Sequence, residues 1–288
     1  MTDLPSGSVA ASAWLERQGI SRQLVRKYLA SGWLKAFGRG AFIRPGDTVE
    51  WLGGVYALQQ LGLPVHVAAD TALVLKGYGH FMPLGGKQRV HLFGEQRDSL
   101  PAWFKRHEWS VSVRFSCPKL FDLAEPTGFS EFQSGAFTVK VSAPERAILE
   151  VLHLATTNDM ISFAIELMAG LGSLRPQLLQ VLLEGCRSVK VKRALLWMAE
   201  QAGHEWVNHL DASRLDLGSG DRLFYRGGTV DKKYRLSVPQ QGDPDWDCLG
   251  IERLSEFPAL QWKLRNIRQM EPGKRAEALS NLRAVLEQ

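Results

Sequence analysis

Residues 20 to 44, ISRQLVRKYLASGWLKAFGRGAFIR, limit the choice of fold more than any other stretch. They read as a basic amphipathic helix running into a short β-hairpin. Ser21 stands where its hydroxyl can accept from an unpaired N–H of the first helical turn, and Gly32 can take the left-handed conformation that stops a helix. At about 100° per residue, Leu24, Val25, Tyr28 and Leu29 share one side, and Arg22, Gln23, Arg26 and Lys27 share the other. Trp33, Leu34 and Phe37 then lead to Gly38-Arg39-Gly40, whose glycines permit a tight turn with Arg39 at its tip, and Ala41-Phe42-Ile43 lead away. Upstream, Ser8 to Gln18 suits a short helix with Ala11, Trp14 and Leu15 inward, and Gly19-Ile20 makes the turn between the two helices. Helix, turn, basic helix and hairpin together describe a winged helix-turn-helix. Tyr28, Trp33 and Phe37 could stack on bases, but their positions predict the small core between basic helix and wing.

Charge supports a nucleic-acid role for this end of the chain. The 288 residues carry a formal net charge of +5. Residues 1–46 hold seven Lys or Arg (Arg17, Arg22, Arg26, Lys27, Lys35, Arg39, Arg44) against Asp3 and Glu16, so the whole excess lies there and the remainder sums to zero. A local surplus of this kind is the footprint of a surface that meets phosphates.

The rest of the chain is long enough for a second domain, at roughly 100 to 200 residues per domain, and the 288-residue sequence as a whole is 45% hydrophobic. Thr48 is placed to cap a helix carrying Trp51, Leu52, Val55, Tyr56, Leu58 and Leu61, and a second helix spans 68–76. Partly alternating runs at 89–93, 111–115 and 137–141 predict strands. Ser142-Ala143-Pro144-Glu145 has the spacing of a capping box ahead of a helix with Ile148, Leu149, Val151 and Leu152. Helical spacing from Asp159 to Ala202, broken at 170–176 and 185–188, predicts three packed helices. Arg222 to Tyr225, Gly227-Gly228 and Tyr234 to Val238 predict a closing hairpin, and 240–288 a linker and helical tail. The fold class is therefore α+β: an N-terminal winged helix-turn-helix (1–46), a mixed α/β domain (47–239), and a helical C-terminal tail (240–288).

Most catalytic patterns fail on spacing. His204-Glu205 with His209 differs from HExxH because its histidines are five apart, about 140° around a helix. No Walker A loop is present, and Cys117, Cys186 and Cys248 form no CxxC pair, which points away from disulfides and structural zinc. No cofactor or metal is expected. Asp216 or Asp221 followed by Asp231-Lys232-Lys233 fits the carboxylate and acid-x-Lys set of restriction-type nucleases. The same residues are natural turn formers on a solvated hairpin. No stretch approaches the ~18 apolar residues of a membrane span. A soluble cytoplasmic protein is expected.

Three stretches resemble the AbiEi antitoxins of bacterial type IV toxin–antitoxin and abortive-infection systems: ISRQLVRKYLASGWLKAFGRGAF, VKVSAPERAILEVL (139–152) and LDLGSGDRLFYRGGTVDKKYRLSVP (215–239). Residues 240–288 have no anchor in that pattern. The resemblance implies a non-enzymatic protein that represses its own operon at inverted repeats in double-stranded promoter DNA and counteracts a nucleotidyltransferase-like toxin without a tight complex. For DNA binding it points to Ser21, Arg22, Gln23, Arg26, Lys27, Lys35 and Arg39. Arg22, Gln23 and Arg26 would meet base edges, Lys27 and Lys35 phosphates, and Arg39 the flanking minor groove or backbone. For neutralisation it points to the segment around Pro144, Glu145 and Arg146. The alternatives are a nuclease targeted by its winged helix and a ligand-responsive regulator.

Overall fold

A computed structural model of the chain describes residues 4–78, 87–95, 100–123 and 127–239. It divides into two compact units, Met1–Gly220 and Asp221–Gln288. The first opens with β1 (Ala10–Ala11), α1 (Ser12–Arg17), α2 (Arg22–Ala30), β2 (Lys35–Gly38) and β3 (Ala41–Ile43). The strands form an antiparallel sheet in the order β1-β3-β2, which with the two helices makes a winged helix-turn-helix. The first helix begins at Ser12 rather than Ser8. Ala10 and Ala11 pair with Phe42 and Ala41 instead, because β3 offers an open edge whose backbone groups need partners, and alanines fit where only 1% and 4% exposure remains.

α3 (Trp51–Gln60) follows. Thr48 does not cap it; the N-cap position is Glu50, with no side-chain hydrogen bond. Glycine inside a helix costs about 1 kcal/mol relative to alanine, yet α3 carries Gly53 and Gly54. A Cβ at Gly53 would lie 1.9 Å from the Gly7 carbonyl oxygen and one at Gly54 2.6 Å from the Trp109 ring. The missing side chains let the helix lie directly against both segments.

A five-stranded mixed sheet comes next: β4 (His66–Val67), β5 (Arg89–Phe93), β6 (Ser112–Ser116), β7 (Phe129–Ser134) and β8 (Phe137–Ser142), in the order β6-β5-β4-β8-β7. β4 pairs parallel with β8 and β5 parallel with β6; β4–β5 and β7–β8 are antiparallel. β4 is too short to show a period, and β7 is an edge strand whose sequence, FSEFQS, is largely polar. α4 (Ala69–Leu75) and α5 (Ala102–Arg106) lie between strands, and α6 (Pro144–Leu154), α7 (Asn158–Ala169), α8 (Pro176–Glu184) and α9 (Val189–Gln201) complete the unit. Ile148, Leu149 and Leu152 of α6, Ile161 and Leu167 of α7, and Leu179, Leu182 and Leu183 of α8 are buried.

The capping box does not form. Ala143 is the N-cap, without a side-chain bond, and Pro144 at the first helical position has no N–H to satisfy. Ser142 and Glu145 turn inward to stronger partners described below. In the second unit β9 (Thr229–Asp231) and β10 (Leu236–Val238) make an antiparallel hairpin. Its turn lies between these strands, where Asp231 Oδ1 accepts the Tyr234 N–H at 2.8 Å, and not at Gly227-Gly228. Arg222 to Tyr225 instead runs alongside β10, with the Tyr225 N–H donating to the Ser237 carbonyl at 2.9 Å. A Cβ at Gly228 would lie 2.0 Å from the Val238 carbonyl oxygen, so the glycine there serves packing. The expected linker and tail at 240–288 lie outside the described residues.

Candidate DNA interface

α2 is fixed at both ends. Ser21 is extended, and its Oγ accepts the Leu24 N–H at 3.2 Å. At the other end Gly32 adopts φ +73°, which brings the Trp33 and Leu34 N–H groups to the Tyr28 carbonyl at 2.9 and 3.1 Å. Val25 packs in a small core with Leu4, Ala10, Leu15 and Leu34, bordered by Trp14, Ile20, Tyr28, Leu29 and Phe42. With that face held, Arg22, Gln23, Arg26 and Lys27 are left exposed on the other.

The wing turns at Arg39, which is exposed, and Gly40, at φ +74°. Lys35 is exposed on β2. Two aromatic residues depart from the expected core. Phe37 packs on Trp103, His107 and Trp109, with ring centroids 6.2, 4.3 and 5.9 Å away, and Gly38 leaves only 2.9 Å between an added Cβ and that of Trp103. The inner face of α2 is already filled by α1 and β1–β3, so the wing's apolar side finds α5. Trp33 is 64% exposed beside the last turn of α2. The sequence pattern put it in the core, but it sits in the bend that follows α2, where Leu34 alone turns inward.

The basic residues are not equivalent. The Arg17 guanidinium donates to the Gln60 carbonyl. Arg22 is 85% exposed, yet its Nε lies 2.6 Å from Glu16 Oε1, and the hydrogen bond and charge of Glu16 raise its pKa further. Ser21, Gln23, Arg26, Lys27, Lys35 and Arg39 all lie on the surface.

Pro144, Glu145 and Arg146 occupy a different setting. Glu145 is buried and receives the Arg175 backbone N–H and Nε at 2.9 Å each and Nη2 at 3.0 Å. Burial pushes its carboxyl up, but the Arg175 bonds outweigh this and hold it below the usual range. Arg146 lies over the Phe121 and Phe129 rings at 4.3 and 4.4 Å and donates to Glu150 Oε1 at 2.8 Å and to the Thr127 carbonyl at 2.9 Å. Glu150, fully buried, also accepts from Ser142 Oγ at 2.8 Å and the Ala69 N–H at 3.0 Å, with His66 Nε2 at 3.3 Å. Its desolvation is outweighed by His66, Arg146 and the Ala69 amide, so its pKa also falls. Ala69 has φ +53°, a conformation that costs a non-glycine residue about 1 kcal/mol or more. Its amide is thereby aimed at the carboxylate.

Of the possible metal-binding acids, Asp216 Oδ1 accepts the Gly218 N–H at 2.9 Å, Asp221 pairs with Arg235 at 2.9 Å, and Asp231 caps the hairpin turn. Among the described residues no group of three or more His, Cys, Asp or Glu side chains could hold a metal. His204 Nε2 lies 2.7 Å from the Met168 carbonyl rather than facing His209. Among the described residues Cys117 and Cys186 form no disulfide, and no helix is long and apolar enough to cross a membrane.

Two family models match the chain. One, described as transcriptional regulator, AbiEi antitoxin N-terminal domain, covers residues 1–84; the other, transcriptional regulator, AbiEi antitoxin, type IV toxin–antitoxin system, covers 87–239. The chain belongs to the AbiEi antitoxin family. Among solved structures, this AbiEi chain is similar to the Rv2827c protein from Mycobacterium tuberculosis, with 15% identity and a TM-score of 0.48 over 82% of this chain and 87% of that one. No curated protein sequence gives a significant match.

Proposed function

We propose that this AbiEi protein binds double-stranded DNA through α2 and its wing, represses its own operon at inverted repeats, and counteracts a nucleotidyltransferase-like toxin. The observation that carries the reading is the exposed Arg22, Gln23, Arg26 and Lys27 face on a helix whose opposite face is held in a core. Arg22, Gln23 and Arg26 meet base edges in the major groove, with Ser21 at the helix start close to a phosphate. Lys27 and Lys35 meet phosphates, and Arg39 reaches the flanking minor groove or backbone. Trp33 joins this set as an exposed ring beside the groove-facing turn.

Residues 1–46 form the DNA-binding part in this reading, 47–239 the part that answers the toxin, and 240–288 a tail. Pro144, Glu145 and Arg146 act from inside, by fixing α6 and the helices around it, so toxin contact or signalling falls to the surface they support. Protein titrated onto its promoter at several salt concentrations tests the DNA role. Some five phosphate contacts give a log–log slope near about −4 to −5, and a slope near zero would sink it. Co-expression with a cognate nucleotidyltransferase-like toxin tests the rest. Arg22→Ala with Arg26→Ala should abolish repression while growth is still rescued, and loss of rescue by a folded, equally abundant protein would make DNA binding part of neutralisation.

A further inference from the structure

Glu16 is the one acid facing the proposed recognition helix from α1, and it holds Arg22, the first residue of α2, through Nε at 2.6 Å. The two side chains are 42% and 85% exposed. An exposed pair of this kind adds little to stability, with a median of about 0 to 1 kcal/mol. A carboxylate on a surface that meets phosphates also opposes binding. Stability and general affinity therefore both leave the pair without a purpose.

The chemistry of guanidinium supplies one. Its donors lie in a rigid fork, and occupying Nε leaves the end-on edge, Nη1 and Nη2, available on a side chain that is 85% exposed. That edge matches guanine O6 and N7, the commonest specific contact in the major groove. An untethered arginine spreads over many rotamers, whereas one held at Nε keeps its end edge in a fixed direction.

We propose that Glu16 is a positioning residue that aims Arg22 at one guanine, so that a residue of α1 sets the base selectivity of α2. The inference rests on the DNA-binding reading above. Glu16 touches no base; it acts through Arg22.

The test uses the full-length protein, its own promoter footprinted to locate the operator, and anisotropy titrations on the operator, each single base-pair variant of it, and a random duplex. Arg22→Ala should lose the preference for G·C at one position, a discrimination of roughly tenfold or more. Glu16→Ala should lose most of the preference at that same position and no other, while binding random duplex as tightly as the wild type or more tightly. With Arg22→Ala already present, adding Glu16→Ala should change selectivity no further. A merely structural Glu16 would shift the melting temperature and weaken operator and random DNA alike. That result overturns the proposal, as does full selectivity in Glu16→Ala or an Arg22→Ala variant that discriminates like the wild type. If the wild type does not prefer its promoter to random DNA, the DNA-binding reading itself fails, and the inference with it.

Discussion

Two arginine–glutamate pairs of nearly equal length sit in contrasting surroundings. Arg22–Glu16 spans 2.6 Å on the surface between α1 and α2. Arg146–Glu150 spans 2.8 Å within α6, with side chains 13% and 0% exposed. Water screens the first, so it adds little to stability and leaves the outer edge of Arg22 open to a ligand. The second has no water to fall back on, and three further polar groups from Ser142, Ala69 and His66 complete the carboxylate's surroundings. The same two functional groups thus orient a side chain on the surface in one place and make a fixed internal joint in the other.

Breaking the internal joint should have the largest effect. Glu150→Ala leaves Arg146, only 13% exposed, without its carboxylate, and removal of one partner from a buried pair costs about 3 to 5 kcal/mol. Urea unfolding should show this as a large fall in midpoint; a change of a few tenths would mean that the site relaxes or takes in water. Acid is a milder way to the same end. Glu145 and Glu150 both have folded pKa values below their unfolded ones. Their stabilisation is therefore complete above the ordinary glutamate value of about 4.3 and is lost as pH falls through the folded values. Asp70, raised by burial despite His91, works in the opposite sense. Midpoints at neutral pH and near pH 4 should differ, and Glu150→Gln should flatten the dependence.

On the exposed side the effects move from stability to binding. Arg26→Ala should leave unfolding unchanged and weaken operator binding by roughly 1 to 3 kcal/mol if it contacts a base in bidentate fashion; equal losses on random DNA would reassign it to a phosphate. The smallest effect is reserved for Glu16→Ala measured by unfolding, within about 0.5 kcal/mol, as for surface substitutions away from special features. A loss of several kcal/mol there would erase the contrast between the two pairs.

What could be read from the residues alone divides along a similar line. α2 was legible because its two faces, its Ser21 cap and its Gly32 stop are all local. The three helices from α7 to α9 were legible because their apolar spacing is long and regularly broken. Ser142-x-x-Glu145 misled because the local capping pattern competes with tertiary partners, and Glu150 and Arg175 win. β4 leaves no period in two residues, β7 has the polar sequence of an edge, and Phe37 was assigned to the nearer core because no local feature announces Trp103, His107 and Trp109. In the proposed interface, neither the outward position of Trp33, set by the bend after α2, nor the attachment of Arg22 to Glu16, six residues away across a turn, is written in a local pattern.

The seating of the wing on α5 also has a consequence for how such proteins diversify. Gly38 meets Trp103 and Gly53 meets Gly7 at distances that leave no space for a single methyl group. A chimera joined near residue 46 would inherit one half of each contact from each parent, and mismatched parents would collide at both seams. Under the proposed DNA-binding reading, a change of target sequence is therefore most readily reached by exchanging the exposed side chains of a nine-residue helix, with its frame kept intact, rather than by shuffling the whole winged helix between relatives.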